Sequence, residues 1–171
     1  MTTAAYEGSH AEGEYTRAVE DYTHAEGYYS VAAGEASHAE GNSTTAGGTM
    51  SHAEGYGSVS GGYASHAEGS YTTTSPDANY AHTEGGNTVA TGAGAHAEGY
   101  GTIANGSCSH AEGYYTTANG NYTHVGGSYN TPINAYPTWV AQTSYNIGDK
   151  VTIRNSGSGP LYRNYKCIEA N

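Results

Sequence analysis

Small residues alternate with polar ones along most of this chain, and apolar side chains larger than alanine are scarce. In ASHAEGNSTTAGGTMSHAEGYG (36–57), Ser, Ala and Gly take every second position of SHAEG, and His and Glu take the positions between. Alternation with a period of two marks a β-strand, whose successive side chains point to opposite faces. Five residues are too few for a helix, and so much glycine opposes one. In TVATG (88–92), Thr88, Ala90 and Gly92 form the small set, with Val89 and Thr91 opposite. Only a face of Ser, Thr, Ala and Gly fits between two strands pressed together, so His and Glu are expected to point outward.

The strands recur on a fixed period, and such a period determines the fold. Successive histidines from His10 to His124 lie 14 residues apart, except for 16 between His66 and His82. A glycine follows each histidine by three residues. A glutamate follows by two, except in the last repeat, THVGG. Each unit holds a weaker copy of itself: SHAEG (109–113) is followed by TTANG (116–120), and SHAEG (51–55) by SVSGG (58–62). One unit is therefore two strands and two tight corners, where glycine supplies positive φ or close approach. The predicted fold is all-β, a two-sided parallel β-roll rising ~4.8 Å per coil, with nine coils making a rod of roughly 40 Å. Alanine methyls bury little apolar area, at ~25 cal/mol per Å². Order must come from backbone ladders and from something packed outside.

Composition narrows the function. With no Phe, two Met, 26 Gly and 18 Tyr, the chain cannot build a large apolar core. A net charge of −11 argues against nucleic acid, which requires a basic face. Half of the 16 acidic residues are the repeat glutamates. Cys108 and Cys167 form no framework, no apolar run is long enough for a membrane span, and no signal peptide is read at the start. The chain enters the repeat partway through a coil, as a piece of a longer fibre would.

The Ser-x-Ala-x-Gly segments in 14-residue coils resemble the head repeats of YadA-like trimeric autotransporter adhesins, and literal SHAEG versions resemble repeats of bacteriophage tail and appendage proteins. The resemblance covers about residues 2–130. It implies three left-handed parallel rolls packed about a threefold axis, a parallel homotrimer, with the residues flanking the first-strand alanine facing the neighbouring subunits. The adhesin heads carry Val and Ile there. Here the flanking residues are His10, Glu12, His24, Glu26, His38, Glu40, His52, Glu54, His66, Glu68, His82, Glu84, His96, Glu98, His110, Glu112 and His124. This implies a polar interface, an interchain ladder in which carboxylates accept from imidazole N–H groups. No metal and no cofactor are expected. The weaker alternative is an ion held on the axis by three symmetry-related histidines, and a merely solvated face is a third reading. Catalysis is disfavoured because the motif recurs along the whole rod. If the glutamates hold charged histidines, stability peaks in mild acid; if the histidines are buried neutral, mild acid destabilises.

Tyrosines follow the SHAEG glycine at Tyr28, Tyr29, Tyr56, Tyr71, Tyr100, Tyr114, Tyr115 and Tyr129. They are expected to be partly exposed, stacking from coil to coil or offering a glycan or receptor surface. TTTSPDANY (72–80) holds the two extra residues of the long repeat and reads as a surface excursion. The expected organisation is a β-roll over residues 1–131, a Pro-punctuated linker over 132–137 and a small β module over 138–171. That tail, with Trp139, Tyr145, Gly148, Asp149, Val151, Tyr165 and Cys167 in order, resembles small chitin-binding-type carbohydrate-binding modules lacking their closing segment. The resemblance implies candidate sugar-stacking residues Trp139, Tyr145, Tyr162 and Tyr165. The alternative is that Trp139 and Tyr145 are core residues of a β cap on the rod.

The function expected is a trimeric fibrous adhesion protein, part of a phage tail fibre or appendage. It would be located on the virion or at a cell surface, and its partners would be its own copies and a cell-surface polysaccharide or glycan. Nucleic-acid binding, membrane insertion and enzymatic activity are not expected. A purely structural spacer or shaft, or the head of a secreted bacterial trimeric adhesin, is the alternative.

Overall fold

The computed structural model describes residues 1–131 and, as backbone, two strands of the tail, Lys150–Arg154 and Tyr162–Lys166. The chain divides into a unit of Met1–Pro132 and a unit of Ile133–Asn171. In the first, eighteen short strands alternate between two nine-stranded parallel sheets, and each sheet adds its strands in chain order, coil upon coil. No helix occurs among the described residues. The roll expected from the 14-residue period is present, with about nine turns.

Register follows the repeat without slippage. His10 stands opposite His24, Glu12 opposite Glu26, and Gly13 opposite Gly27. The 16-residue step is absorbed without loss of phase, since His66 stands opposite His82 and Thr73 opposite Val89. The extra length is taken up at one corner, where Pro76 and Asp77 are exposed while Ala78 is buried and its N–H bonds the Ser75 carbonyl at 2.9 Å.

The corners also bond from coil to coil through the backbone. Along the strands N–H groups alternate between the two neighbouring coils, and those of His38 and Glu40 reach the Ser51 and Ala53 carbonyls of the following coil at 2.9 Å. At each corner a residue with φ near +60° points its N–H to the preceding coil, as Tyr29 to Glu14 at 2.9 Å and Cys108 to Ala93 at 2.8 Å. Fourteen residues other than glycine take this conformation, and eight of them are tyrosines. Each costs roughly 1–2 kcal/mol for an L-residue, and the added ladder bond partly offsets that. The sequence leads one to expect glycine at the corners for positive φ or close approach, and these residues carry positive φ without being glycine.

The interior is as thin as expected. Alanines such as Ala25, Ala39, Ala53, Ala97 and Ala111 are fully buried, with Thr16, Thr44, Thr72 and Thr102 beside them. Hydroxyls bond one another across coils, Thr44 to Ser30 at 3.0 Å and Thr72 to Ser58 at 3.0 Å. Around the long repeat Ser60, Ser65 and Thr74 form a buried hydroxyl chain between two alanine clusters.

One expectation of facing needs correction. The second-strand glycines Gly34, Gly62, Gly92 and Gly106 are buried, but SHAEG glycines such as Gly27, Gly55 and Gly99 are exposed. There the chain has already begun to turn, with φ near 100°, and a side chain on Gly99 would overlap the Gly113 carbonyl. Close coil stacking, rather than an inward position, requires glycine there.

Candidate functional site

The alternation that buries alanine places His and Glu of every HAE segment on the outer face of one sheet. In-register pairing turns them into two columns. Successive imidazoles from His10 to His124 stack with ring centroids 4.7–4.9 Å apart and interplanar angles of 2–12°. The end rings, His10 and His124, are exposed, and the seven between are half-buried. The ladder named from the sequence is thus a continuous surface feature of one chain.

Its internal pairing runs across coils. His110 Nε2 lies 3.0 Å from Glu98 Oε1 and His124 Nε2 3.1 Å from Glu112 Oε1, each glutamate belonging to the preceding coil. His52 with Glu40, His82 with Glu68 and His96 with Glu84 repeat the offset at 3.3–3.6 Å. The first two coils pair within their own motif instead, His10 with Glu12 at 4.0 Å and His24 with Glu26 at 3.9 Å. The missing glutamate of THVGG has a local consequence, since a side chain on Gly126 would meet Glu112 Oε1 at 2.6 Å. Glycine there leaves room for the last carboxylate.

Burial holds His38, His66 and His96 below the ordinary histidine pKa, and the neighbouring imidazoles lower them further. The adjacent carboxylates oppose this without reversing it. Glu68 is held below the usual carboxylate range, chiefly by its hydrogen-bonding contact with Glu54 and further by Glu84 and His82, against the cost of burial. Near pH 7 the neutral form is favoured at His38, His66 and His96, and the charged form at Glu68.

The corner tyrosines are exposed and stack as expected. Tyr15 stacks on Tyr29 at 4.7 Å, Tyr114 meets Tyr115 edge-on at 4.7 Å, and Tyr100 and Tyr129 extend that group. Some rings also fill the space above a glycine of the preceding coil, as Tyr71 does over Gly57 and Tyr115 over Gly101. A second corner feature was not read from the sequence. Asp21, Asn79 and Asn121 accept the N–H of Glu7, Tyr63 and Ser107, one coil earlier, at 2.9–3.0 Å. Asp and Asn are common turn residues, and their recurrence before the second corner was the available signal.

The proposed sugar-stacking residues are only partly placed. Trp139 and Tyr145 lie outside the described residues. Tyr162 and Tyr165 stand in the strand Tyr162–Lys166, which pairs antiparallel with Lys150–Arg154, Tyr162 opposite Arg154 and Tyr165 opposite Val151. No protein-family model matches this chain, and the searches of curated proteins and of solved structures found no match.

Proposed function

We propose that this chain is a trimeric fibrous adhesion element of a phage tail fibre or appendage, which attaches to a bacterial surface glycan. The observation that carries this reading is the uninterrupted outer column of half-buried His and Glu beside a core of little more than alanine and threonine. A roll with so little apolar interior gains most by covering one face with further copies. The HxE face is the regular, self-complementary one: its carboxylates and imidazole N–H groups can pair between chains as they do within one. In this reading three parallel copies meet through the ladder, and the tail presents Trp139, Tyr145, Tyr162 and Tyr165 to sugar rings. A single shallow stacking site binds weakly, and three on one trimer raise the effective concentration at a polymeric surface. The uniformity of the coils favours the second reading, a shaft without a ligand of its own. The head of a secreted bacterial adhesin has the same repeat chemistry. None of these readings gives the chain an enzymatic role.

Light scattering combined with pull-down on chitin-like and cell-wall polysaccharides tests this. Three chains per particle and retention lost in Trp139→Ala, with the melting temperature unchanged, are expected. A monomer mass at micromolar concentration overturns the assembly. Retention that survives Trp139→Ala moves binding to the tyrosine corners, and no retention of the wild type leaves the shaft.

A further inference from the structure

Two histidines stand apart within the ladder. Seven of the nine have Nε2 within 4.0 Å of a carboxylate oxygen, and His38 and His66 do not. Each is nonetheless flanked by carboxylates from two coils. A ring nitrogen of His38 and one oxygen each from Glu26 and Glu40 lie within 4.8 Å of one another, and so do those of His66, Glu54 and Glu68. In both histidines Nε2 is shielded from solvent without a hydrogen-bond partner; His24, His52, His82 and His96 share that state but each keeps a carboxylate oxygen within 4.0 Å. A buried polar nitrogen left this way is costly. An imidazole already paired with a glutamate has its partner without a metal, and these two are not so paired.

The charge balance points the same way. Glu12 to Glu112 stand in register as a column of like charges, and directly opposed like charges destabilise a sheet. Imidazole ligates in its neutral form, and a carboxylate in its charged one. A divalent ion between one imidazole and two carboxylates would offset both charges and give the nitrogen a partner. Zinc-type ions take nitrogen and oxygen ligands at about 2.0–2.2 Å, so the ligand atoms of one ion span up to ~4.4 Å. The observed triads need only small side-chain movements to close on an ion.

We propose that Glu26, His38 and Glu40 form one divalent transition-metal site, and Glu54, His66 and Glu68 a second, each within a single chain. The two sites have no residue in common, so both can fill. A site at His52, between them, would share Glu40 with the first and Glu54 with the second, and it stays empty when they are occupied. Because every ligand comes from one chain, the proposal does not depend on the adhesion reading.

Metal-free protein dialysed against micromolar zinc and analysed for bound metal tests it. One ion at each site is expected, with His38→Gln and His66→Gln each losing one ion, the double variant losing both, and His52→Gln keeping both. Cobalt added to the wild-type chain gives visible d–d bands that zinc displaces, a readout that needs no variant to fold. Absence of bound zinc and of cobalt bands overturns the proposal. Retention unchanged in the folded double variant also overturns it, as does one ion per three chains, which marks a site on the trimer axis.

Discussion

His110 hydrogen-bonds Glu98 of the preceding coil at 3.0 Å, and the two side chains are 34% and 33% exposed in the single chain. Pairs this open are worth about 0–1 kcal/mol. If three copies cover the face, the same pair is buried, and removing one partner costs roughly 3 kcal/mol or more. The trimer therefore predicts a loss of that larger size for Glu98→Ala, read from denaturant midpoints at fixed chain concentration. A loss below about 1 kcal/mol shows a face open to water and counts against assembly through the ladder.

Two glycines of similar appearance separate the roles of backbone and space. Gly99 has φ near 104°, and a side chain there would overlap the Gly113 carbonyl. Gly47 has ordinary φ, and the nearest atom to an added methyl is the Ser60 carbonyl oxygen at 3.8 Å. Gly99→Ala is expected to destabilise by roughly 3 kcal/mol or more. Gly47→Ala should be neutral or stabilising by about 0.4–1 kcal/mol. Equal effects from the two in thermal melts would refute the stacking account of the SHAEG glycine.

The alanine column takes a larger side chain at two places, Thr83 in the long repeat and Val125 in the last histidine coil, and both are buried. Ala97 is fully buried between coils, while Val125 fills the equivalent place in the last histidine coil at 3% exposure. Ala97→Val overpacks and should cost about 1–3 kcal/mol, whereas Val125→Ala loses buried methyl groups and should cost roughly 1–2 kcal/mol. A stabilised Ala97→Val would reveal a void that the alanine column does not show.

These contrasts mark how far the sequence could be read. The coil, its register and the outward face of His and Glu follow from a 14-residue phase and period-two alternation, and the 16-residue step between His66 and His82 does not disturb them. The inward set was right for Thr88, Ala90 and Gly92 and wrong for Gly99. Alternation assumes an extended chain, and Gly99 has already turned. Positive φ at Tyr29 or Tyr115 was not legible because steric preference assigns it to glycine; the requirement comes from a hydrogen bond to another coil. The pairing of His110 with Glu98, rather than with Glu112 of its own motif, depends on side-chain reach between coils. No spacing within SHAEG encodes that reach.

Acid is expected to weaken the roll. His38, His66 and His96 have pKa values lowered by burial and then by the facing imidazoles of His24, His52, His82 and His110. The carboxylates of Glu26, Glu40, Glu54, Glu84 and Glu98 pull the other way. A histidine whose folded pKa lies below its unfolded value of about 6.5 takes up a proton on unfolding. Its contribution is full above that unfolded value and is lost as pH falls through it toward the folded one. Glu68, whose folded pKa is also lowered, contributes above its unfolded value and loses that contribution as pH falls through the folded value. Both groups act in the same direction, first in mild acid and then in stronger acid, which favours the neutral-histidine branch over a stability maximum in mild acid. Thermal melts in chelator between pH 8 and pH 4, a range about two units either side of the histidine value, should show a midpoint that falls steadily with acid. The fall near the histidine value should be shallower in His66→Gln. A midpoint that rises on going below the histidine value would mean the imidazoles are charged and held by the glutamates, and a flat profile would mean that the column is solvated throughout.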